Sequence, residues 1–168
     1  PGIRDLRNLL WASIDNDDSR DLDQLTVAES LPAGWVKILV AIADVDSLVK
    51  KGSAIDLHAR NNTTSVYTAA EIFPMLPEVI STGMTSLNFE QDRLSIVIEM
   101  VIDPEGTLQE STIYKAWVRN HAKLAYNSIA AWLEKKIGIP DEIAGVQGLA
   151  DNLQLQDRAA QSMKSLRH

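Results

Sequence analysis

Two apolar, β-branched runs constrain the fold of this chain more than any other feature of its sequence. The first extends from Val36 to Asp44 (VKILVAIAD), and the second extends from Leu94 to Ile102 (LSIVIEMVI). Runs of this length and composition, bounded by turn residues and polar residues, are typical of buried β-strands. We therefore predict a sheet built around these two strands.

Each run has a nearby partner that suits an antiparallel hairpin. Leu25 to Glu29 leads into the first run through the Pro-Gly turn at Pro32-Ala33-Gly34, and Thr107 to Val118 follows the second run. The turn in the second hairpin is Asp103-Pro104-Glu105-Gly106, whose residue types favour a tight reversal of the chain. The sheet is therefore expected to be mixed and mainly antiparallel.

Helical patterns separate and follow these hairpins. A short helix is predicted from Ser53 to Arg60, with Ser53 as its N-cap. A second is predicted from Ala122 to Lys136, and a last amphipathic helix is predicted from about Gly148 to Leu166. In the second helix, Leu124, Ile129, Trp132 and Leu133 share one apolar face. The fold class is α+β, with helices packed on one side of the sheet and a helical C-terminal part.

Composition limits the classes of protein to which the chain can belong. Its 168 residues are enough for one domain with a real core, and no apolar run approaches the length of a membrane helix. There is no cysteine, which excludes disulfides and thiolate metal sites and fits a cytoplasmic location. The net charge is −7, so any contact with nucleic acid must be made in a local channel or helped by basic domains elsewhere.

A dense acidic stretch is the strongest candidate for a functional site. Five aspartates occupy the nine positions from Asp15 to Asp23, and Mg²⁺ and Mn²⁺ prefer such oxygen ligands. If the stretch is extended, Asp21 and Asp23 project from one face and Leu22 points the other way. The spacing does not fit a calcium-binding EF-hand, because Arg20 stands where the loop needs glycine. A plain solvated acidic turn remains the alternative to a metal site.

Three other polar residues are weaker candidates. Asp44 and Asp46 end the first predicted strand and could be further metal ligands, although aspartates in this position more often form turns or cap helices. His58 has no second ligand at metal spacing, so a surface or packing role is expected.

The acidic stretch also resembles a known family. The segment from Ile14 to Asp23 (IDNDDSRDLD) is similar to the aspartate signature in the catalytic (RNB) domain of ribonuclease II and ribonuclease R. The resemblance continues in order along the chain through shorter segments, which are Val40 to Val45, Thr64 to Tyr67, Pro74 to Val79, Ser86 to Asn88, Asp92 to Leu94 and His121 to Tyr126. It covers the chain from Ile14 to Leu133.

This resemblance implies a Mg²⁺-dependent exoribonuclease, in which Mn²⁺ could replace Mg²⁺, that degrades single-stranded RNA processively from its 3′ end to nucleoside 5′-monophosphates. A water bound to the metal would attack the 3′-terminal phosphodiester. By the same resemblance, Asp15, Asp21 and Asp23 are catalytic residues and metal ligands, and Asp23 matters most for the chemical step. Tyr67 would stack on the 3′-terminal bases, and Tyr126 would contact the terminal nucleotide. Arg20 is not assigned by the resemblance; it is expected to bind RNA because it is a basic residue within the acidic stretch.

The sequence departs from the family pattern in two ways. The signature usually closes with two adjacent aspartates, but the second position is Gln24, whose amide oxygen can ligate a metal without adding charge. We therefore expect weaker Mg²⁺ binding, and an RNA 3′-end binding module with weakened catalysis is the alternative function.

The chain is also expected to be the first part of one catalytic domain, the amino-terminal half, with a lead-in segment at 1–12 and a C-terminal helix at 140–168. The rest of that domain and the flanking oligonucleotide-binding domains would be its partners, and the chain alone is expected to be inactive. A distant further alternative is an acidic interaction domain that does not bind nucleic acid.

Overall fold

A computed structural model describes residues 2–166, which form an α+β fold around one large sheet. The described strands are β1 (Arg4–Asp5), β2 (Ala12–Asp15), β3 (Gln24–Ser30), β4 (Val36–Ala43), β5 (Val66–Tyr67), β6 (Ile72–Phe73), β7 (Asp92–Ile102), β8 (Leu108–Arg119) and β9 (Ala122–Ala125). The α-helices in this range are α1 (Ala54–Asn62), α2 (Tyr126–Leu133), α3 (Asp141–Ala144) and α4 (Leu149–Ser165). None of these helices is long and apolar enough to cross a bilayer.

The large sheet contains seven strands in the order β1-β8-β7-β4-β3-β2-β9. Its central strands are the two predicted hairpins, since β3 pairs antiparallel with β4 and β7 pairs antiparallel with β8. The hairpins join through an antiparallel β4–β7 pair, whereas the edge strands β1 and β9 lie parallel to β8 and β2. The predicted α+β class and mainly antiparallel sheet are therefore confirmed.

The two faces of the sheet bury different cores. On one face, alternate residues of the central strands pack against side chains from the N-terminal segment and from loops; this cluster includes Trp11, Leu22, Leu25, Val27, Leu39, Ala41, Leu87, Val97, Ala116 and Val118. The register pairs Leu25 with Ala41 and Ala41 with Val97, so one set of alternating positions supplies this core.

The opposite face packs against α4 and the other C-terminal helices. Leu149 and Leu153 of α4 are buried with Ala12, Ile129 and Ile143 in the second cluster. Asn152 of the same helix bonds to both backbone groups of Ala28: it accepts from the N–H at 3.0 Å and donates to the carbonyl at 2.7 Å. These bonds satisfy backbone hydrogen-bonding groups of β3 that have no partner on β2, because β2 is too short to extend beside them.

The prediction of one helix from Ala122 to Lys136 is wrong at both ends. The residues from Ala122 to Ala125 form β9, because they pair in parallel with β2, and Leu124 is buried on that strand. The helix begins only at Tyr126 and ends at Leu133. The spacing of apolar residues within a short segment cannot reveal a strand whose partner lies more than a hundred residues earlier in the chain.

The other helix predictions agree with the structure within two residues at their ends. The Ser53 hydroxyl accepts a bond from the Asp56 N–H at 3.3 Å and so caps α1, as predicted. The final helix, α4, begins at Leu149 and ends at Ser165.

Candidate active site

The acidic stretch forms an irregular loop that follows β2 and precedes β3. Leu22 is buried in the main core, and its N–H donates to the Ser86 hydroxyl at 2.9 Å while its carbonyl accepts from the Leu87 N–H at 2.9 Å. Because Leu22 is held inward, its neighbours Asp21 and Asp23 are directed to the opposite side of the chain. The alternation predicted for these three residues is therefore present.

Asp21 and Asp23 lie close enough to hydrogen-bond to each other. Partial burial, followed by the negative charges of Asp23 and Asp15, raises the pKa of Asp21 to about 6. The pKa of Asp23 is also raised, first by burial and then by the charge of Asp15. Without a cation, this pair is therefore expected to hold a proton that isolated aspartates would release.

Asp15 is oriented differently from the other two aspartates. Its carboxylate accepts bonds from the Asn16 N–H at 2.8 Å and from the Ser19 hydroxyl at 3.0 Å, so it is turned toward its own loop. Among residues 2–166, no three acidic or histidine side chains form a group that could hold a metal ion. Asp15 lines the same cleft as Asp21 and Asp23, but the three carboxylates are not grouped closely enough in this structure to hold one ion.

A cleft of about 820 Å³ brings the three aspartates together with two other predicted site residues. Arg20 lies on the acidic wall and is the only basic residue among the described residues that line the cleft. Tyr67 lies on the opposite wall, on the β5–β6 hairpin, and is 67% exposed. The arrangement leaves an aromatic face and a guanidinium group accessible beside the carboxylates.

Gln24 and Tyr126 lie outside this cleft. They line a smaller cavity of about 220 Å³ together with Asp15 and Asp23, and both also line a larger groove on the other side. Asp15 and Asp23 therefore lie between the two spaces, and Gln24 approaches the aspartates from the side away from Tyr67.

Two positioning residues were missed by the sequence reasoning. Ser86, already described as the partner of Leu22, also lies 3.2 Å from the Arg20 carbonyl. Arg93 donates to the backbone carbonyls of Ser86 at 3.1 Å and Gly83 at 3.0 Å, and it so supports the π-helical turn Val79–Met84 on the cleft wall. Both residues fall in segments that matched the family pattern, which was the only sequence signal available for them.

The weaker candidates lie elsewhere. Asp44 is buried and accepts a bond from Lys115 at 2.7 Å, so it is an ion-pair partner between β4 and β8 and does not line the acidic cleft. Asp46 lies in the turn after β4, and His58 is exposed on α1 with its ring 3.0 Å from the Asn62 amide. The positions of Asp46 and His58 agree with the turn and surface roles that the sequence favoured, whereas the Asp44 side chain forms an ion pair and makes no helix-cap bond.

The chemistry of the donors suits a hard divalent cation. Three carboxylates and the amide oxygen of Gln24 are the oxygen ligands that Mg²⁺ takes in proteins. The raised pKa of Asp21 reflects burial first and then repulsion by the neighbouring carboxylates, and a bound cation would offset both effects. The residues therefore fit a magnesium site in type.

Comparison with known proteins identifies the family. The sequence model of the RNB domain family matches residues 3–168 of this chain. The chain is 42% identical to ribonuclease R of Escherichia coli (strain K12) over 128 residues, which are 76% of this chain and 16% of that protein. It is 34% identical to ribonuclease R of Mycoplasma pneumoniae over 166 residues, which are 98% of this chain and 23% of that protein.

A solved structure is similar over nearly the whole chain. Mycoplasma genitalium RNase R in complex with double-stranded RNA matches with a TM-score of 0.91 and 28% identity, covering 98% of this chain and 28% of that one. The chain thus spans about a quarter or less of the length of these relatives. The family match over almost all residues confirms the resemblance found in the sequence, and the chain belongs to the RNB domain family.

Proposed function

We propose that this chain carries the acidic part of the active site of a Mg²⁺-dependent exoribonuclease. The enzyme would hydrolyse single-stranded RNA processively from the 3′ end and release nucleoside 5′-monophosphates. Membership of the RNB family and the ribonuclease R relatives support this proposal. The single observation that carries it is the cleft in which Asp15, Asp21 and Asp23 lie with Arg20 and Tyr67.

Different residues of the cleft would bind different parts of an RNA end. Tyr67 offers an exposed ring on which a base stacks, which is a way of binding that tolerates any sequence. Arg20 offers a guanidinium group that pairs with a phosphate in a cleft whose other charged groups are all acidic. Asp15, Asp21 and Asp23, together with Gln24, would hold Mg²⁺ near that phosphate.

A bound cation would favour the ionised state of the acidic residues. When bound, Mg²⁺ neutralises the scissile phosphate and lowers the pKa of a water molecule at neutral pH. Because the pKa of Asp21 is raised to about 6, its carboxyl group is mostly ionised at pH 7, and metal binding would displace a proton from it only at about pH 6 and below. Asp23 lines both the large cleft and the small cavity, which is consistent with a central role in the chemical step.

The first prediction tests catalysis. Asp23→Asn should reduce the rate at which 5′-labelled single-stranded RNA is shortened by about a hundredfold or more. The substitution removes a negative charge that would help to hold the cation at the scissile phosphate. The assay is best made with the gene product that contains these residues, beside the 168-residue chain. Asp17→Asn is the matched control, because Asp17 belongs to the same loop but does not line the cleft, and it should leave the rate unchanged. Equal rates for the two variants would contradict the proposal.

The second prediction concerns Gln24. Gln24→Asp should lower the Mg²⁺ concentration needed for half-maximal activity by about tenfold, because a fourth carboxylate strengthens the attraction for the cation. Titration of activity with Mg²⁺ measures this shift. An unchanged Mg²⁺ dependence would remove Gln24 from the set of ligands.

A second candidate function is an RNA 3′-end binding module that cleaves poorly. Two observations favour it: Gln24 supplies no charge, and Asp15 is hydrogen-bonded to Ser19 and Asn16 instead of facing the other carboxylates. Retention of labelled RNA without shortening, in the presence of Mg²⁺, would support this function. No retention at all would favour an acidic domain without a role on RNA.

A further inference from the structure

Asn120 lies in the short connection between β8 and β9, and its side chain is completely buried. Its Nδ2 donates to the Ser13 hydroxyl oxygen at 3.0 Å and to the Leu87 carbonyl at 2.9 Å, and its Oδ1 accepts from the Ala122 N–H at 3.2 Å. Ser13 and Leu87 lie 107 and 33 residues earlier in the chain. Because breaking either bond would leave a buried polar group unpaired, the amide holds these two distant segments at a fixed separation.

The bond to Ser13 acts on the strand that leads to the first aspartate of the site. Ser13 and Asp15 occupy alternate positions of β2, so their side chains lie on the same face of that strand. Ser13 is only 1% exposed, and the edge strand β9, which follows Asn120, pairs in parallel with β2 as far as Asp15. Asn120 therefore fixes β2 two residues before Asp15.

The bond to Leu87 reaches the other two aspartates. Leu87 accepts from Asn120 with its carbonyl and donates to the Leu22 carbonyl with its N–H, at 2.9 Å. Leu87 and Leu22 are both buried in the main core. Leu22 lies between Asp21 and Asp23 in the chain, so a displacement of Leu87 would move the backbone that carries both carboxylates.

The two residues that Asn120 holds in this way meet at the small cavity behind the acidic cleft. Ser13 and Leu22 both line the cavity of about 220 Å³, together with Asp15 and Asp23. Asn120 itself lines neither this cavity nor the cleft. A buried residue that is bonded to the chain on both sides of a site can set the spacing of its carboxylates without contacting a metal ion or RNA.

We infer that Asn120 is a positioning residue, which sets the separation between β2 and the Asp21–Asp23 segment and so the spacing of the three carboxylates. It acts through Ser13 and Leu87 and contacts no reacting group. Its effect on Mg²⁺ rests on the proposed function, whereas its effect on the mobility of the acidic loop does not.

A Mg²⁺ titration of RNA shortening by the whole gene product tests the effect on the site. Asn120→Ala should raise the Mg²⁺ concentration needed for half-maximal activity by about tenfold or more, because the carboxylates lose their fixed spacing. The KM for RNA should change by less than about twofold, since Tyr67 lies on the β5–β6 hairpin, which Asn120 does not contact.

Asn152→Ala is the matched control. Like Asn120, Asn152 makes two side-chain bonds that join distant segments, but its partners are the backbone groups of Ala28, which do not line the cleft. This variant should lose stability and keep the Mg²⁺ requirement within about twofold of the unchanged protein. An equal rise in the Mg²⁺ requirement for the two variants, or no rise for Asn120→Ala, would overturn the inference.

Amide hydrogen exchange of the whole gene product in chelator tests the inference without RNA cleavage. Peptides that cover residues 13–24 should exchange at least about tenfold faster in Asn120→Ala, while peptides of α4 should change by less than about twofold. Ser13→Ala removes one bond and keeps the bond to Leu87, so it should accelerate the same peptides by a smaller factor, about threefold.

Unchanged exchange of residues 13–24 in both variants would overturn the inference, and so would an equal acceleration along the whole chain, which would show a general loss of stability. Exchange is decided without any cleavage assay. A gene product that does not shorten RNA would therefore contradict the proposed function alone, and the exchange pattern would still support or overturn the role of Asn120.

Discussion

At the scale of single residues, the candidate site holds carboxylate groups that repel one another because they carry the same charge. Asp21 and Asp23 face each other from either side of the buried Leu22, and this backbone arrangement holds their carboxylates together before any cation is bound. Ser86 and Arg93, which hydrogen-bond to backbone groups of the neighbouring loops, support the walls that carry the charged residues. The repulsion is a cost to stability that a metal-binding function would explain.

This cost gives a pH-dependent prediction. Because the pKa of Asp21 is raised to about 6 in the folded state, the folded protein binds more protons than the unfolded chain between about pH 4 and pH 6, and stability falls as pH rises through that range. Asp21→Asn should therefore raise the Tm at pH 7, without divalent metal, by about 2–4 °C, if screening leaves about 1 kcal/mol of the repulsion. The gain should disappear near pH 4.

Thermal unfolding of both proteins in chelator, at pH 4 and pH 7, measures this difference. Asp17→Asn is again the control, since Asp17 is exposed in the same loop. A Tm that is lower for Asp21→Asn than for the unchanged protein at pH 7 would show that the Asp21 charge is not repelled.

At the scale of secondary-structure elements, the β7–β8 turn and α4 depend on one close contact. Gly106 has a φ of +90°, and a Cβ at this position would lie 2.4 Å from the Ser162 carbonyl carbon. The turn residue expected from the sequence therefore has a second role, because only glycine lets the last turns of α4 approach the hairpin. This contact sets how much of the sheet α4 covers.

Gly106→Ala should lower the free energy of unfolding by about 3 kcal/mol, because backbone strain and a backbone clash act together. Gly52→Ala is the matched control: Gly52 also has a positive φ, of +80°, but nothing lies within 4 Å of an added Cβ. The control should cost only about 1 kcal/mol. Urea unfolding measures the loss of stability in the two variants. Gly52→Ala reports backbone strain alone, and Gly106→Ala reports strain together with the clash against α4. Equal losses of stability would mean that α4 moves aside freely.

At the scale of the whole molecule, charge restricts how the chain could make the RNA contacts proposed above. The net charge is −7, and Arg20 is the only basic residue that lines the acidic cleft in residues 2–166. A protein held to RNA by many phosphate contacts loses affinity steeply with salt. Here binding is expected to depend on stacking, on one guanidinium group and on the divalent cation, with a weak dependence on monovalent salt.

Fluorescence anisotropy with labelled single-stranded RNA, at constant Mg²⁺, tests this expectation. A plot of the logarithm of the RNA association constant against the logarithm of the salt concentration should have a slope of about −1 or shallower. Arg20→Gln should reduce the magnitude of that slope by about 0.7. Arg60→Gln, on the exposed end of α1, is the control and should leave the slope unchanged. A steep slope that Arg20→Gln does not alter would place the RNA on another surface.

Much of the fold could be predicted from local pattern. The runs around Val40 and Ile98 are long and β-branched, their turns contain Pro and Gly, and their partners are adjacent in sequence, so the hairpins depend on interactions that a short window contains. The strand from Ala122 to Ala125 was missed because its pairing with β2 is distant in sequence. The same reason explains why the role of Ser86 was missed, since its partners Leu22 and Arg20 lie 64 and 66 residues earlier in the chain.

The sequence by itself determined which residue types are candidates for the proposed chemistry: a stretch with five aspartates, an arginine among them, and a tyrosine in a matching family segment. Only the tertiary structure decided how they meet. Burial of Leu22 between Ser86 and Leu87 aligns Asp21 with Asp23, while loop hydrogen bonds turn Asp15 aside and the sheet places Gln24 behind the cleft. Residue type fixes the kind of ligand, but distance and ionisation depend on long-range packing and on the local dielectric that packing creates.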